Sequence, residues 1–302
     1  MREIVGYSAE FSDGTSIGFS AGDDRAAGVL DFFAGHTGLQ PGKPMHPGYV
    51  ICVISDPVHK EGENFGMLTM VLEPDQIPRY RLREPKNGEE IEDVLSPEEW
   101  LWRQVLRLSG FIGSCLMEKG GFLIHAGLIE YREKGKLGTG ILLAGASGAG
   151  KTTTTRLLRP PWAPVADDLT LIARGDEGSY RAHPLPTWSR ILGKVDPAPR
   201  ITWDIFHSLP LRSGLFLHRG EEELFAETGK GESLCLLAEL INQSNEHFLR
   251  AKDLSFAYTF NRAYFMNLVN FVRETRFFTH NLKIDDRFWK EVEKNRHKLV
   301  ET

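Results

Sequence analysis

Three observations predict an α/β protein with a β-rich module ahead of it. Short apolar stretches alternate with Gly, Pro and Asp clusters through about residue 90. An amphipathic helix with a clear start signal opens at Ser96. Beyond it, strand-like apolar runs alternate with helix-compatible segments, and one run passes through a glycine-rich turn straight into a helix. The boundary falls at residues 95 and 96, giving a module over 1–95 and an α/β unit over 96–302.

In the first module, Tyr49-Val50-Ile51-Cys52-Val53-Ile54 and Met67-Leu68-Thr69-Met70-Val71-Leu72 read as strands. Ser96-Pro97-Glu98-Glu99 supplies an N-cap, a proline at the first helical position and a capping-box glutamate. The helix it starts presents Trp100, Leu101, Val105, Leu108, Phe111, Ile112, Cys115 and Leu116 on one face and ends before Gly120-Gly121. Strands are then expected over Phe122–Ile129, continuing through His125, over Ile141–Ala144 and over Leu169–Ala173. Past residue 200 a mixed tail follows, with a strand at Leu215–Leu217 and helices at Ser233–Ile241 and Tyr264–Phe271.

Composition narrows the function classes. The 302 residues are 41% hydrophobic and 25% charged, as in ordinary globular proteins, and carry a formal net charge of -5. That balance offers no basic excess to neutralise nucleic acid or an anionic membrane surface. Three widely spaced cysteines, Cys52, Cys115 and Cys235, fit neither a disulfide framework nor a metal-binding spacing. With no secretion signal or membrane span in view, a cytoplasmic protein is expected, with no nucleic-acid or membrane partner.

The most informative segment is Gly145-Ala146-Ser147-Gly148-Ala149-Gly150-Lys151-Thr152, which satisfies G-x-x-x-x-G-K-[ST] between an apolar strand and a helix-compatible stretch. Glycines let successive backbone N–H groups turn inward around phosphate oxygens, and the following helix aims its positive end at the same charge. Lys151 adds a full positive charge, the Thr152 hydroxyl can hold Mg²⁺, and Thr153 continues the phosphate-facing turn. The reading is a nucleotide site of the P-loop type, with ATP and Mg²⁺ as cofactors.

Sixteen residues after Lys151, Asp167-Asp168 ends the short apolar stretch 163–166, where a phosphate-binding protein needs an acid near the metal. Adjacent residues of a plain strand face opposite ways, so for both acids to serve one site the chain must turn or bulge there. His183, in the proline-rich run 180–190, reads as a surface turn. A further cation for the developing phosphate charge has three candidates, Arg190, Arg200 and Arg212.

The order of His125, the Gly145–Thr152 loop and Asp167-Asp168 resembles the catalytic domain of HPr kinase/phosphorylase, which shares its P-loop architecture with PEP carboxykinase. The resemblance covers residues 122–175, and 96–230 more loosely. It implies a P-loop kinase fold, with Asp167 as the base that takes a serine-type hydroxyl proton, Asp168 as a magnesium ligand and His125 beside the transferred phosphate. Divergent superfamily members that modify ribosomally made peptides or free serine are the nearer comparison. Cassette-type proteins accompanying radical-SAM peptide pathways are one such group.

The implied function is an ATP- and Mg²⁺-dependent kinase acting on a peptide, protein or small-molecule hydroxyl, with homo-oligomerisation left open. The alternatives are a nucleotide-binding scaffold built on a degenerate kinase core and a slow NTPase.

Overall fold

The alternation of Tyr7–Glu10 (β1) and Ser16–Ala21 (β2) buries every second side chain of β1 against the core, and the two strands pair antiparallel through a tight turn. Tyr49–Ile54 (β3) and Met67–Val71 (β4) follow, each parallel to its neighbour, in the order β1-β2-β3-β4. Parallel strands need a crossover. It is a helix, Asp24–Thr37 (α1), which the β-rich reading of this region did not foresee. Asp23 caps it by accepting from the Ala26 N–H, left-handed Gly38 ends it, and Ala26, Val29, Leu30, Phe33 and Ala34 face the core. The computed structural model describes residues 6–42, 48–55, 67–72, 96–133, 138–146, 148–175, 178–187, 203–220, 224–249, 254–282 and 287–301.

The helix expected at Ser96 is Pro97–Leu116 (α2), and its capping box is formed in both directions: Ser96 N–H donates to Glu99 and the Glu99 N–H donates to Ser96 Oγ. Residues 122–131 then depart from expectation. They form two strands, Phe122–Ile124 (β5) and Gly127–Tyr131 (β6), separated by His125 and Ala126. Thr139–Ala144 (β7) leads into the glycine-rich loop and Lys151–Arg156 (α3) leaves it. Trp162–Ala166 (β8) and Thr170–Arg174 (β9) are likewise separated, here by Asp167, Asp168 and Leu169.

Tyr180–Pro184 (β10), Leu209–Arg219 (β11), Leu224–Glu227 (β12), Lys230–Leu249 (α4), Leu254–Glu274 (α5), Arg276–Leu282 (β13), Arg287–Lys294 (α6) and Arg296–Val300 (α7) complete the chain. The second sheet runs β5-β9-β10-β11-β7-β6-β8, with β13 beside β11 and β12 beside β13. Its pairings close on themselves. β5 and β6 make one bent strand, β8 and β9 another, and the two bent strands pair along their length, with Ile124 opposite Thr170 on one side of the break and Leu128 opposite Ala166 on the other.

Ile141–Ala144 in β7 and Leu215–Leu217 in β11 are uninterrupted apolar runs because both faces of the sheet are covered there. Ile141, Leu143, Leu215 and Leu217 pack with Ala149, Trp162, Val292 and Leu299, whereas Leu142, Ala144 and Phe216 join the larger core that extends to α2, α5 and the N-terminal sheet. The tip of the β1–β2 turn reaches the second sheet. Lys119 donates to the Asp13 carbonyl (2.9 Å), and Ser12 Oγ lies 2.8 Å from His183 Nε2.

His183 is therefore not on a surface turn: it sits in β10, 2% exposed, with Nδ1 on the Ile205 carbonyl at 2.8 Å. Burial lowers its pKa and pushes that of His280, in β13, down to about 4. Between those folded values and the ordinary 6.5 the unfolded chain binds more protons than the folded one, so stability rises with pH across that window and falls on acidification. Urea unfolding should show a clearly lower midpoint at pH 5 than at pH 7.5; equal midpoints would mean that neither imidazole is held neutral.

Candidate functional site

The loop that leaves β7 has the backbone its glycines allow. Gly145, Gly148 and Gly150 have φ of +154°, +80° and +108°. A Cβ at Gly145 would stand 2.8 Å from the Leu217 carbonyl oxygen of β11, so only glycine lets the loop turn off the sheet beside that strand. The Ala149 N–H closes a turn on the Ala146 carbonyl at 3.0 Å, and Gly150 caps α3.

Lys151, the first residue of α3, is 6% exposed and folds back over the loop, its ammonium donating to the Gly145 carbonyl at 2.7 Å. Desolvation lowers its pKa, and the nearby Asp168 carboxylate opposes that shift. Thr152 and Thr153 are exposed on the first turn of α3. Ser147 lies outside the described residues.

The required turn after the apolar stretch is present. The β6–β8 register slips between Leu128 and Ile129, β8 ends at Ala166, and Asp167 and Asp168 occupy a bend. Their environments differ sharply. Asp167 is 4% exposed and accepts from the Thr187 hydroxyl at 3.3 Å, while the Asp168 side chain is half exposed with its Oδ1 2.5 Å from His125 Nε2. His125 stands in the break between β5 and β6, opposite the break that holds the acids, and not on a strand.

The two breaks are bound together. Thr170 donates its hydroxyl to the Ala126 carbonyl at 2.8 Å, and Gly127 runs so close that a Cβ there would meet the Ala166 and Asp167 carbonyls at 3.2 Å. His125, Asp168 and Lys151 thus converge beside the glycine loop, with Asp167 buried next to them.

Thr187 is the residue that the sequence reading passed over. It follows a Pro-Leu-Pro run that read as a loop, yet it is 3% exposed and reaches Asp167 from the end of β10, where the Leu185 N–H donates to the Leu169 carbonyl at 3.3 Å. The three candidate arginines fare differently. Arg190 and Arg200 lie outside the described residues. Arg212 is exposed at a bulge of β11 opposite Gly140 and Ile141, at the end of β7 away from the loop, so it is not brought to the site.

Among the described residues no group of three or more His, Cys, Asp or Glu is placed to hold a metal ion, and no helix is long and apolar enough to cross a membrane. The three cysteines form no disulfide.

The family described as SynChlorMet cassette protein ScmC matches residues 90–297, more than two thirds of the chain. The chain belongs to the ScmC family. No curated protein matches it. The ScmC match takes in α2, the glycine loop, His125, both aspartates and the sheet that carries them, and it leaves β1–β4 and α1 outside.

Gly145→Ala should destabilise the protein by about 1–3 kcal/mol, through left-handed strain and the contact with Leu217. Gly148→Ala, with open space around its Cβ, should cost less. Chemical denaturation of the two variants checks the order, and a neutral Gly145→Ala would contradict this loop geometry.

Proposed function

We propose that the chain is an ATP- and Mg²⁺-dependent kinase that transfers phosphate to a serine-type hydroxyl of a peptide, protein or small molecule, on a P-loop fold similar to that of HPr kinase/phosphorylase. The observation that carries this reading is the buried Lys151 ammonium, set on the carbonyl of its own glycine loop and within electrostatic reach of Asp168. A desolvated cation at a helix N-terminus, above a loop whose glycines leave room for an approaching anion, suits a phosphate chain better than water.

The residues present fit the two cofactors. The Gly145–Gly150 backbone and Lys151 would hold the phosphates, and Thr152 with Asp168 would hold magnesium. One or two protein oxygens suffice, since Mg²⁺ commonly keeps waters and takes phosphate oxygens as its remaining ligands. Bound there, the metal would neutralise charge on the phosphates.

The chain's own groups divide the remaining work. Asp167, held by Thr187, accepts the proton of the attacking hydroxyl as the new phosphorus–oxygen bond forms. His125 orients Asp168 through their short contact. Lys151 exchanges its carbonyl partner for phosphate oxygens and offsets the charge that develops on the leaving ADP.

Both Lys151→Ala and Asp167→Asn should lower phosphate transfer by a factor of about 10² or more. Nucleotide affinity should fall in Lys151→Ala and survive in Asp167→Asn. Incubation with γ-labelled ATP and a panel of peptides, proteins and free serine, read by mass spectrometry beside calorimetric ATP titrations, measures both quantities. Parent-like turnover by Asp167→Asn would remove the base assignment.

A further inference from the structure

We propose a second ligand site, at the opposite end of β8 from Asp167, that takes a small molecule bearing a carboxylate or phosphate on a flat apolar ring. A cavity of about 870 Å³ opens there between the loop that follows α3 and the helix α6. Its volume lies in the range of small-molecule pockets. Along the four steps of β8 from Trp162 to Ala166 it stands about 13 Å from the acidic bend, so it is distinct from the glycine-loop site and does not depend on the kinase reading.

The wall has two kinds of surface. One is aromatic: Trp162 and Trp289 line it with ring centroids 6.0 Å apart, Trp289 half-buried beside the Pro160–Pro161 pair, and Tyr131 backs Trp162 from outside the cavity at 4.9 Å. The other is cationic, with Arg159, Lys290 and Lys294 on the same wall.

Among the described residues the wall carboxylate is Glu293, and it is turned to partners other than the two lysines. Glu293 Oε2 accepts from the Trp162 indole N–H at 3.0 Å and Oε1 from Arg296 at 3.4 Å. Among the described residues Lys294 makes an exposed pair with Glu291 at 3.0 Å, of the kind that water and salt readily replace. Lys290 makes no ion pair among the described residues. An indole face edged by cations recognises a ring that stacks and an anion attached to it.

The floor is firmly built. The Arg132 N–H donates to the Pro161 carbonyl at 2.9 Å and the Trp162 N–H to the Arg159 carbonyl at 2.9 Å, so the loop is pinned to the end of β6. The same loop continues α3, which begins at Lys151.

Calorimetric titration of the full chain with phenyl phosphate and with 3-phenylpropionate, at low salt, tests the site. At least one acid should saturate it with a dissociation constant below about 1 mM, and whichever binds tighter tells a phosphate ester from a carboxylic acid. Inorganic phosphate and benzyl alcohol, each lacking one half of the ligand, should bind at least about tenfold more weakly. The exposed double reversal Lys290→Glu/Lys294→Glu should weaken the acid by about tenfold or more in a chain that still unfolds cooperatively, and Trp289→Leu should weaken it similarly.

Lys151→Ala should leave this binding unchanged. Its loss in that variant would place the ligand on the glycine loop and overturn the proposal. So would the absence of saturation by both acids up to about 10 mM, or parent-like affinity in the double reversal.

Discussion

The Thr170 hydroxyl, donating to the Ala126 carbonyl, ties together the two places where the large sheet bends. Each bend interrupts a strand: His125 and Ala126 part β5 from β6, and Asp167, Asp168 and Leu169 part β8 from β9. A straight antiparallel pair would carry these residues up and down the ladder and send neighbouring side chains to opposite faces. With both strands broken at the same level, the imidazole and the two carboxyl groups are released from the ladder and gathered next to the loop that ends β7. Gly127 permits the close approach because it has no side chain to set against the Ala166 and Asp167 carbonyls. Position in the site is thus a property of strand pairing before it is a property of any side chain.

The glycine loop supplies the opposite charge to that gathering. Lys151 is buried at a helix start, and burial alone works against its protonated form; Asp168 works for it. In the structure the ammonium rests on a backbone carbonyl, a neutral acceptor that costs little to give up for an anion. Asp167 is different in kind, enclosed and held by Thr187, whereas Asp168 faces solvent with His125. Two adjacent acids in unlike surroundings are suited to unlike tasks, which the proposed kinase would divide as proton transfer for the enclosed one and cation binding for the exposed one.

Local signals in the sequence were legible where the physics is local. The capping box at Ser96, the apolar run into the glycine loop and the turn demanded by Asp167-Asp168 all depend on residues within a few positions of one another, and all are found as read. The helix α1 carried its own punctuation in Asp23 and Gly38, but Gly28 and Gly35 inside it, and the turn-rich segments around it, masked the helical period. Pro184 and Pro186 suggest a turn around His183, which the structure does not have. What places the imidazole in the interior is pairing with β9 and contact with Ser12, 171 residues away. The break at His125 and the part of Thr187 were equally out of reach, since both follow from which strand lies opposite, and no spacing records that. Membership of the ScmC family rests on residues 90–297 as a whole and not on any one of these signals.

In the function proposed, the glycine loop, Lys151 and the joint bearing His125, Asp167 and Asp168 form one phosphate- and metal-binding centre. Crystals grown with magnesium and a non-hydrolysable ATP analogue would reveal whether that centre assembles. The phosphates should be enclosed by the 145–150 backbone, the Lys151 ammonium moved from the Gly145 carbonyl to a phosphate oxygen, and the metal held between Thr152 and Asp168. Nucleotide seated elsewhere, with Lys151 still on Gly145 and Asp168 turned to bulk solvent, would contradict that function.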